Sequence, residues 1–385
     1  MNRLDARVAA RPLDGSPAGR RAMYNDNKLK IGLFGANCSS GRCPTMVTER
    51  WGASWDDTLA LARRADDAGI DFMLPIGRWK GYGGETNYNG STWESITWAA
   101  ALLASTRRIT VLATVHVPLL HPVVACKQMV TADHVGHGRF GLNVVCGWNQ
   151  DEFEMFGATL LEHDQRYAYA QEWMDVVERL WVEEDEFDFD GKFFQLRGLV
   201  SSPRPYGGGR PLLMNAGTSP AGRAFAARNC DVLFCTPPSV GESDTLDTII
   251  QDVHRLGAGN GRYLGAYTIG VVVCRETMEE ARSYFEYAAI EQADPGALDA
   301  MIRARTRREI DSFCADELGE MRRSLARGWG GMLMVGGPDD ICEQLADLER
   351  QGVQGVALSF INYAEELPFF CDEVLPRLRA RGIRA

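Results

Sequence analysis

Short apolar runs alternate with amphipathic stretches along most of the chain. "KLKIGLFGA" (28–36), "IDFMLPI" (70–76), "RITVLATVHV" (108–117), "RFGLNVVC" (139–146), "RPLLMNAG" (210–217), "CDVLFC" (230–235), "AYTIGVVVC" (266–274) and "VQGVALSF" (353–360) read as eight strands. Their apolar residues run on instead of alternating, which suits strands buried on both faces of a parallel sheet. Helices fall between them. Ser54 opens one, with Asp57 at its third position, and Gly69 closes it. "STWE" (91–94) and "TMEE" (277–280) have capping-box spacing. Pro122 and Pro220 each fall where a first helical position would lie. Further helices are expected over roughly 165–182 and 243–256, and residues 278–327 read as charged and helical. "GGMLMVGGPDD" reads as a short apolar run entering a helix at 338–351.

Two stretches interrupt the alternation. Within 185–206, an Asp-Gly turn between alternating aromatics in "DEFDFDGKFFQLRGL" predicts a β-hairpin. The second, 276–331, precedes the last strand. The pattern predicts an α/β fold, a (β/α)8 TIM barrel over 29–385 with insertions after strands four and seven, preceded by a mobile extension at 1–28. An open doubly wound sheet is the alternative. No G-x-G-x-x-G follows any of the strands, which counts against a dinucleotide fold.

Charge and composition narrow the function. The net charge of -11 argues against nucleic acid and anionic membrane as partners. No apolar run approaches the length of a membrane span, and the first 29 residues lack the apolar core of a secretory signal. Ten cysteines spread between Cys38 and Cys371 without a C-x-x-C read as reduced thiols of a cytoplasmic protein.

In a (β/α)8 barrel the chemistry gathers at the C-terminal ends of the strands. Here those ends bring Asn37 and Cys38, then Pro75 and Ile76 with Trp79 just beyond, then Thr114 and His116, then Asn143, Cys146 and Trp148. There is no carboxylate pair, G-x-S-x-G elbow or H-E-x-x-H among them, and no metal site is expected. Amides, hydroxyls and aromatics suit a site that leaves the difficult chemistry to a planar cofactor. "NAGTSPAG" (215–222) ends a strand and opens a helix, so Thr218, Ser219 and the first amides could hold a phosphate. The same loop also reads as a simple N-cap. "HDQRY" (163–167) puts Arg166 and Tyr167 in the first turn of the next long helix, where either could reach that phosphate or cover the surface.

"GHGRFGLNVVCGWNQDEFEMFG", "EHDQRYAYAQEW", "FDFDGKFFQLRG" and "SPRPYGGGRPLLMNAGTSPAGRAFAARNCDVLF" follow one another in an order that resembles the bacterial-luciferase-like flavin monooxygenases. The resemblance spans about residues 29–385 and is nearest the branch of the pyrimidine, dimethylsulfone and nitrilotriacetate monooxygenases. It implies a two-component enzyme. FMNH2 would come from a separate NAD(P)H:flavin reductase, and O2 would form a flavin N5- or C4a-peroxide that oxygenates a small organic substrate; the apolar and aromatic strand ends suggest that this substrate is neutral. Thr114 and Asn143, 29 positions apart, match a family pair flanking the oxygen site and are the implied catalytic residues. Pro75, Ile76, Thr114, Asn143, Tyr167, Ala216, Gly217, Thr218 and Ser219 are the implied FMN contacts. Asn37, Cys38, Trp79, His116 and Trp148 are the implied substrate wall. Residues 276–331 match a lid, and a homodimer or homotetramer is implied. Two alternatives stay open: a deazaflavin (F420)-dependent hydride-transfer oxidoreductase of the same superfamily, and a non-catalytic flavin-binding protein.

Overall fold

The computed structural model describes residues 23–235, 246–328 and 331–385. Most of the N-terminal extension, and the expected start of the helix near 243, lie outside the described residues. The strands are β1 (Lys30–Phe34), β2 (Phe72–Leu74), β3 (Thr110–His116), β4 (Phe140–Val145), β5 (Phe187–Asp190), β6 (Gln195–Leu199), β7 (Leu212–Asn215), β8 (Val232–Phe234), β9 (Gly265–Cys274), β10 (Met332–Gly336) and β11 (Gly355–Ser359). The main helices are α1 (Trp55–Ala68), α2 (Ser95–Ser105), α3 (Pro122–Val135), α4 (Gln150–Met155), α5 (His163–Val182), α6 (Pro220–Asn229), α7 (Leu246–Gly259), α8 (Met278–Phe285), α9 (Pro295–Thr306), α10 (Ala315–Ala326), α11 (Pro338–Arg350) and α12 (Tyr363–Phe369).

By contact the chain divides into two compact units. The first includes Ser95–Phe234 and Gln251–Gly265. In it β3, β4, β7 and β8 pair in parallel, with Val111 opposite Phe140, Gly141 opposite Leu212 and Met214 opposite Val232. All seven residues of β3 are buried, as continuous apolar runs dictate; each fully buried Val or Leu is worth about 1.5–3 kcal/mol. The β5–β6 hairpin forms as expected, but residues 191–194 make its loop, longer than a two-residue turn. Glu172 of α5 sets that loop by accepting from the amides of Lys192, Phe193 and Phe194.

The second unit includes Asp26–Glu94 and Ala266–Ala385. Here β1 lies between β2 and β11, and β11 pairs with β9. The run at 332–336 is a strand, β10, paired in parallel with Gly270–Cys274 of β9. It stands outside the eight expected strands because β9 is ten residues long and its second half offers a further edge. Helix ends follow the local chemistry. Ser54 Oγ accepts from Asp57 N at 3.1 Å, Gly69 closes α1 at φ 83°, and Thr277 and Glu280 form a reciprocal capping box. Residues 91–94 do not cap α2, which starts at Ser95. They are extended, with Ser39 N donating to Ser91 O and Trp93 N to Asn37 O, so their backbone serves the loop after β1.

Within the expected insertion, residues 278–326 are helical but broken: α8 runs into a π turn at Glu286–Glu291, and α9 and α10 follow. The carboxylate of Asp294 caps α9 through Ala297 N and also accepts from Thr86 N and Thr86 Oγ1, both at 2.8 Å. Burial works against its charge, but those donors overcome it and hold its pKa below the usual carboxylate value. Arg384 and Asp71 form a buried ion pair, with Arg384 also donating to Leu29 O and Gly69 O. No helix among the described residues is long and apolar enough to cross a membrane.

Candidate active site

The 29-residue spacing of Thr114 and Asn143 has a plain structural meaning: they are direct partners in the β3–β4 register. Asn143 Nδ2 donates to Thr114 Oγ1 at 3.3 Å. Both residues are 7% exposed. Asn143 Oδ1 is buried with no hydrogen-bond partner among the described residues. A buried acceptor left in that state costs about 1–3 kcal/mol, so this position suits a donor from outside the described residues. His116, two residues past Thr114, projects from the same face of β3 and is also buried. Ser95, the first residue of α2, anchors this region by donating from Oγ to Thr114 O at 2.8 Å.

After β4 the chain turns at Gly147, whose φ of +94° favours glycine. An added Cβ would lie 2.4 Å from the Phe153 ring, so both conformation and space demand glycine here. Trp148 beyond it is half-buried. The backbone oxygen of Gly147 accepts from Arg166 Nη1, and Arg166 Nε is buried without a partner among the described residues. Burial pushes the Cys146 thiol up to about 12, so it is neutral near pH 7.

The loop after β7 is the tightest construction of this unit. Asn215 donates to Val144 O at 2.7 Å and accepts from Gly217 N at 2.8 Å, tying the loop to β4. Ser219 Oγ caps α6 by accepting from Gly222 N at 3.1 Å, and Pro220 sits at its first turn. The Tyr167 hydroxyl rests on Gly217 and Gly222, 2.5 and 2.6 Å from where their Cβ atoms would stand, beside the Ser219 hydroxyl. Burial, then the neighbouring Cys146, raises the Tyr167 pKa, so its hydroxyl keeps its proton. The structure thus brings Tyr167, Gly217 and Ser219 together, with Ala216 and Thr218 in the same loop. Ser219 has a double part, as N-cap and as partner of Tyr167. Asn215, Ser95 and Glu172 were not singled out by sequence. Asn215 had a signal, a polar residue ending an apolar strand, whereas a serine opening a helix and a glutamate inside one are common.

The other sequence-derived candidates lie in the second unit. Asn37 is fully buried and its amide is satisfied: Oδ1 accepts from Ile76 N and Nδ2 donates to Ile76 O, both at 2.8 Å. It therefore locks the end of β1 to the end of β2. Pro75 and Ile76 are buried at that junction, and Trp79 is 45% exposed. Cys38 is fully buried, accepts from Asn89 Nδ2 at 3.2 Å, and has its thiol pushed up to about 12, mainly by burial. All ten cysteines are free, and Cys314 alone is exposed.

Solved structures with the same strand–helix alternation establish the class of fold. The crystal structure of a riboflavin lyase with modified FMN and riboflavin superposes with a TM-score of 0.83 over 93% of both chains, at 22% identity. The fold is the luciferase-like (β/α)8 barrel. Residues 30–355 match the family model described as luciferase-like monooxygenase, and the chain belongs to that family. It is similar to the FMNH2-dependent dimethylsulfone monooxygenase of Pseudomonas fluorescens (strain Pf0-1), 30% identical over 93% of this chain and 96% of that one. It is also similar to the pyrimidine monooxygenase RutA of Yersinia enterocolitica, 28% identical over 92% and 96%. The chain is accordingly an enzyme of the monooxygenase class.

Proposed function

We propose that the chain is an FMNH2-dependent monooxygenase that uses O2 to oxygenate a small organic substrate, with reduced flavin delivered by a separate NAD(P)H:flavin reductase. The observation that carries this is the buried, unpartnered Asn143 Oδ1 beside Thr114, on the same unit as a glycine-lined loop closed by a protonated tyrosine. Those residues fit FMN at both of its polar ends. When bound, reduced FMN supplies the activation of O2.

The chain's own residues bind and orient. Asn143 Oδ1 would accept a hydrogen bond from the flavin, while Nδ2 stays on Thr114 and fixes which way the amide faces. Thr114 Oγ1, itself an acceptor from Asn143, would line the place where oxygen meets the flavin. At the other end, Gly217 and Gly222 let the Tyr167 hydroxyl sit against the loop, where side chains would push it away. In the first turn of α6, Pro220 has no N–H and Gly222 N is taken by Ser219 Oγ, which leaves Ala221 N to meet an anion that the helix dipole favours. Tyr167 donates its hydroxyl proton, and the guanidinium of Arg166 adds charge beside it. No carboxylate takes part, which suits a site where the cofactor carries the chemistry.

The test follows flavin absorbance after anaerobic chain–FMNH2 is mixed with O2. A reoxidation course distinct from that of free FMNH2 is expected; an identical one refutes the reading. A parallel anaerobic assay with reduced deazaflavin tests the hydride-transfer alternative.

A further inference from the structure

One buried side chain of the first unit joins the two ends of the proposed flavin site. Asn215 is the last residue of β7, is 2% exposed, and has both ends of its amide occupied. Nδ2 donates to Val144 O at 2.7 Å, and Oδ1 accepts from Gly217 N at 2.8 Å. A carbonyl only accepts and a backbone N–H only donates, so the amide cannot turn over without losing both bonds. Its two partners belong to different ends of the site. Val144 follows Asn143 on β4. Gly217 belongs to the loop proposed for phosphate, where the Tyr167 hydroxyl sits against it.

The strand register shows why a tie is needed at this point. Asn143 pairs with Thr114 on one side and with Met214 on the other, and the next pair, Val144 with Asn215, ends the β4–β7 ladder. Residues 216–219 then cross to α6 without regular structure, and one of them is a glycine. Glycine leaves such a segment many conformations. The Asn215 amide selects one of them. It carries the β4–β7 pairing one step past the end of the strand, from Val144 O through the side chain to Gly217 N. On the other side of the pair, Ser95 Oγ holds Thr114 O at 2.8 Å. Asn143 is thus braced through both of its neighbouring strands.

We propose that Asn215 is a positioning residue that fixes the span between the Asn143 amide and the loop after β7, and that this span makes the site prefer FMN to riboflavin; this rests on the flavin reading. A ligand held at two ends gains from its second contact only where the spacing fits. A misplacement of about 1 Å can cost on the order of 100-fold. Without the tie, the ring end keeps Asn143 while the phosphate end loses its fixed place. The preference for FMN then falls and riboflavin binding holds. Aspartate at position 215 has the shape of the amide and makes the idea testable by pH. Ionised, it still accepts from Gly217 N but turns a second acceptor toward Val144 O. Protonated, it donates to Val144 O and accepts from Gly217 N, as asparagine does. Burial and the facing carbonyl both favour the neutral acid, so this carboxyl takes up its proton above the ordinary carboxylate range.

The test titrates the full flavin-free chain with FMN and with riboflavin, followed by flavin fluorescence at pH 6 and pH 8, with melting temperatures taken alongside. The wild-type chain is expected to bind FMN at least tenfold more tightly than riboflavin. Asn215→Leu at both pH values, and Asn215→Asp at pH 8, are expected to lose most of that preference while riboflavin affinity stays within threefold of the wild type. At pH 6 the aspartate variant is expected to regain at least threefold of the preference, measured against the wild type at the same pH, and the leucine variant none. A residue that only locks strand ends would lower the melting temperature and leave the FMN-to-riboflavin ratio unchanged. That unchanged ratio in either variant, or an aspartate variant that regains nothing at pH 6, overturns the proposal. A wild-type chain that binds both flavins equally, or neither, would instead remove the phosphate loop and sink the flavin reading itself.

Discussion

Replacing Asn143 by leucine separates stability from function with opposite signs. Leucine has the same branched shape, with larger methyl ends, and removes an acceptor that no described residue partners. Relief of that acceptor is worth about 1–3 kcal/mol. The change also deletes the bond from Nδ2 to Thr114 Oγ1, which at 3.3 Å is long and belongs at the low end of the net range, about 0.5 kcal/mol. The balance favours the flavin-free variant by about 1 kcal/mol, a rise of roughly 2 °C in melting temperature for a chain of this size. Bound flavin would lose its acceptor and keep a buried donor unmatched, a penalty of about 1–3 kcal/mol, or on the order of 10–100-fold in Kd. Differential scanning calorimetry of the flavin-free chain and fluorescence titration with FMN read the two effects separately. If Asn143→Leu melts below the wild type, or binds FMN within threefold of it, the oxygen of Asn143 does not face a flavin.

Gly222→Ala places a Cβ 2.6 Å from the Tyr167 hydroxyl and 2.8 Å from the Gly217 backbone. Overpacking costs about 1–3 kcal/mol against a helix-propensity gain of about 1 kcal/mol, so a melting change of only a few degrees should accompany at least tenfold weaker FMN binding; unchanged FMN affinity would rule out this loop as the phosphate site. Arg384→Ala strands Asp71 as a buried charge, and calorimetry should show a loss of about 3–5 kcal/mol; a loss below 1 kcal/mol would contradict the assigned burial. Because Cys314 alone is exposed, thiol titration of the native chain at pH 8 should find one reactive equivalent, and two or more fast equivalents would be inconsistent with the packing. Burial raises the Cys38, Cys43, Cys146, Cys274 and Cys371 thiols from 9.0 to about 12. Their contribution is therefore complete below pH 9 and is lost as pH climbs toward 12; a melting temperature that stays flat across that window would refute it.

Much of the first unit was legible from sequence because its signals are local. Continuous apolar runs set β3 and β4, and a polar residue inside each marked Thr114 and Asn143, which the resemblance paired before the register placed them opposite one another. The loop proposed for phosphate stood out for the same reason: small residues, a cap and a proline fall within eight positions. Features made by distant partners were not legible. Asn37 looked like a pocket residue, because nothing nearby in sequence reveals that Ile76, 39 positions on, takes both ends of its amide. β10 looked like a mere approach to a helix, because its strand character depends on the spare half of β9. The "STWE" tetrapeptide had the letters of a cap, but its backbone was claimed by the loop after β1.

One carboxylate, that of Asp294, fastens both the start of α9 and the turn at Thr86. Since the two oxygens of that one group each serve one attachment, Oδ1 to Ala297 N and Oδ2 to Thr86, a single protonation removes the charge behind both, and the two cannot loosen in sequence. Titration into acid should therefore release both segments in one step, so that amide exchange at Thr86 and at Ala297 accelerates along a shared curve.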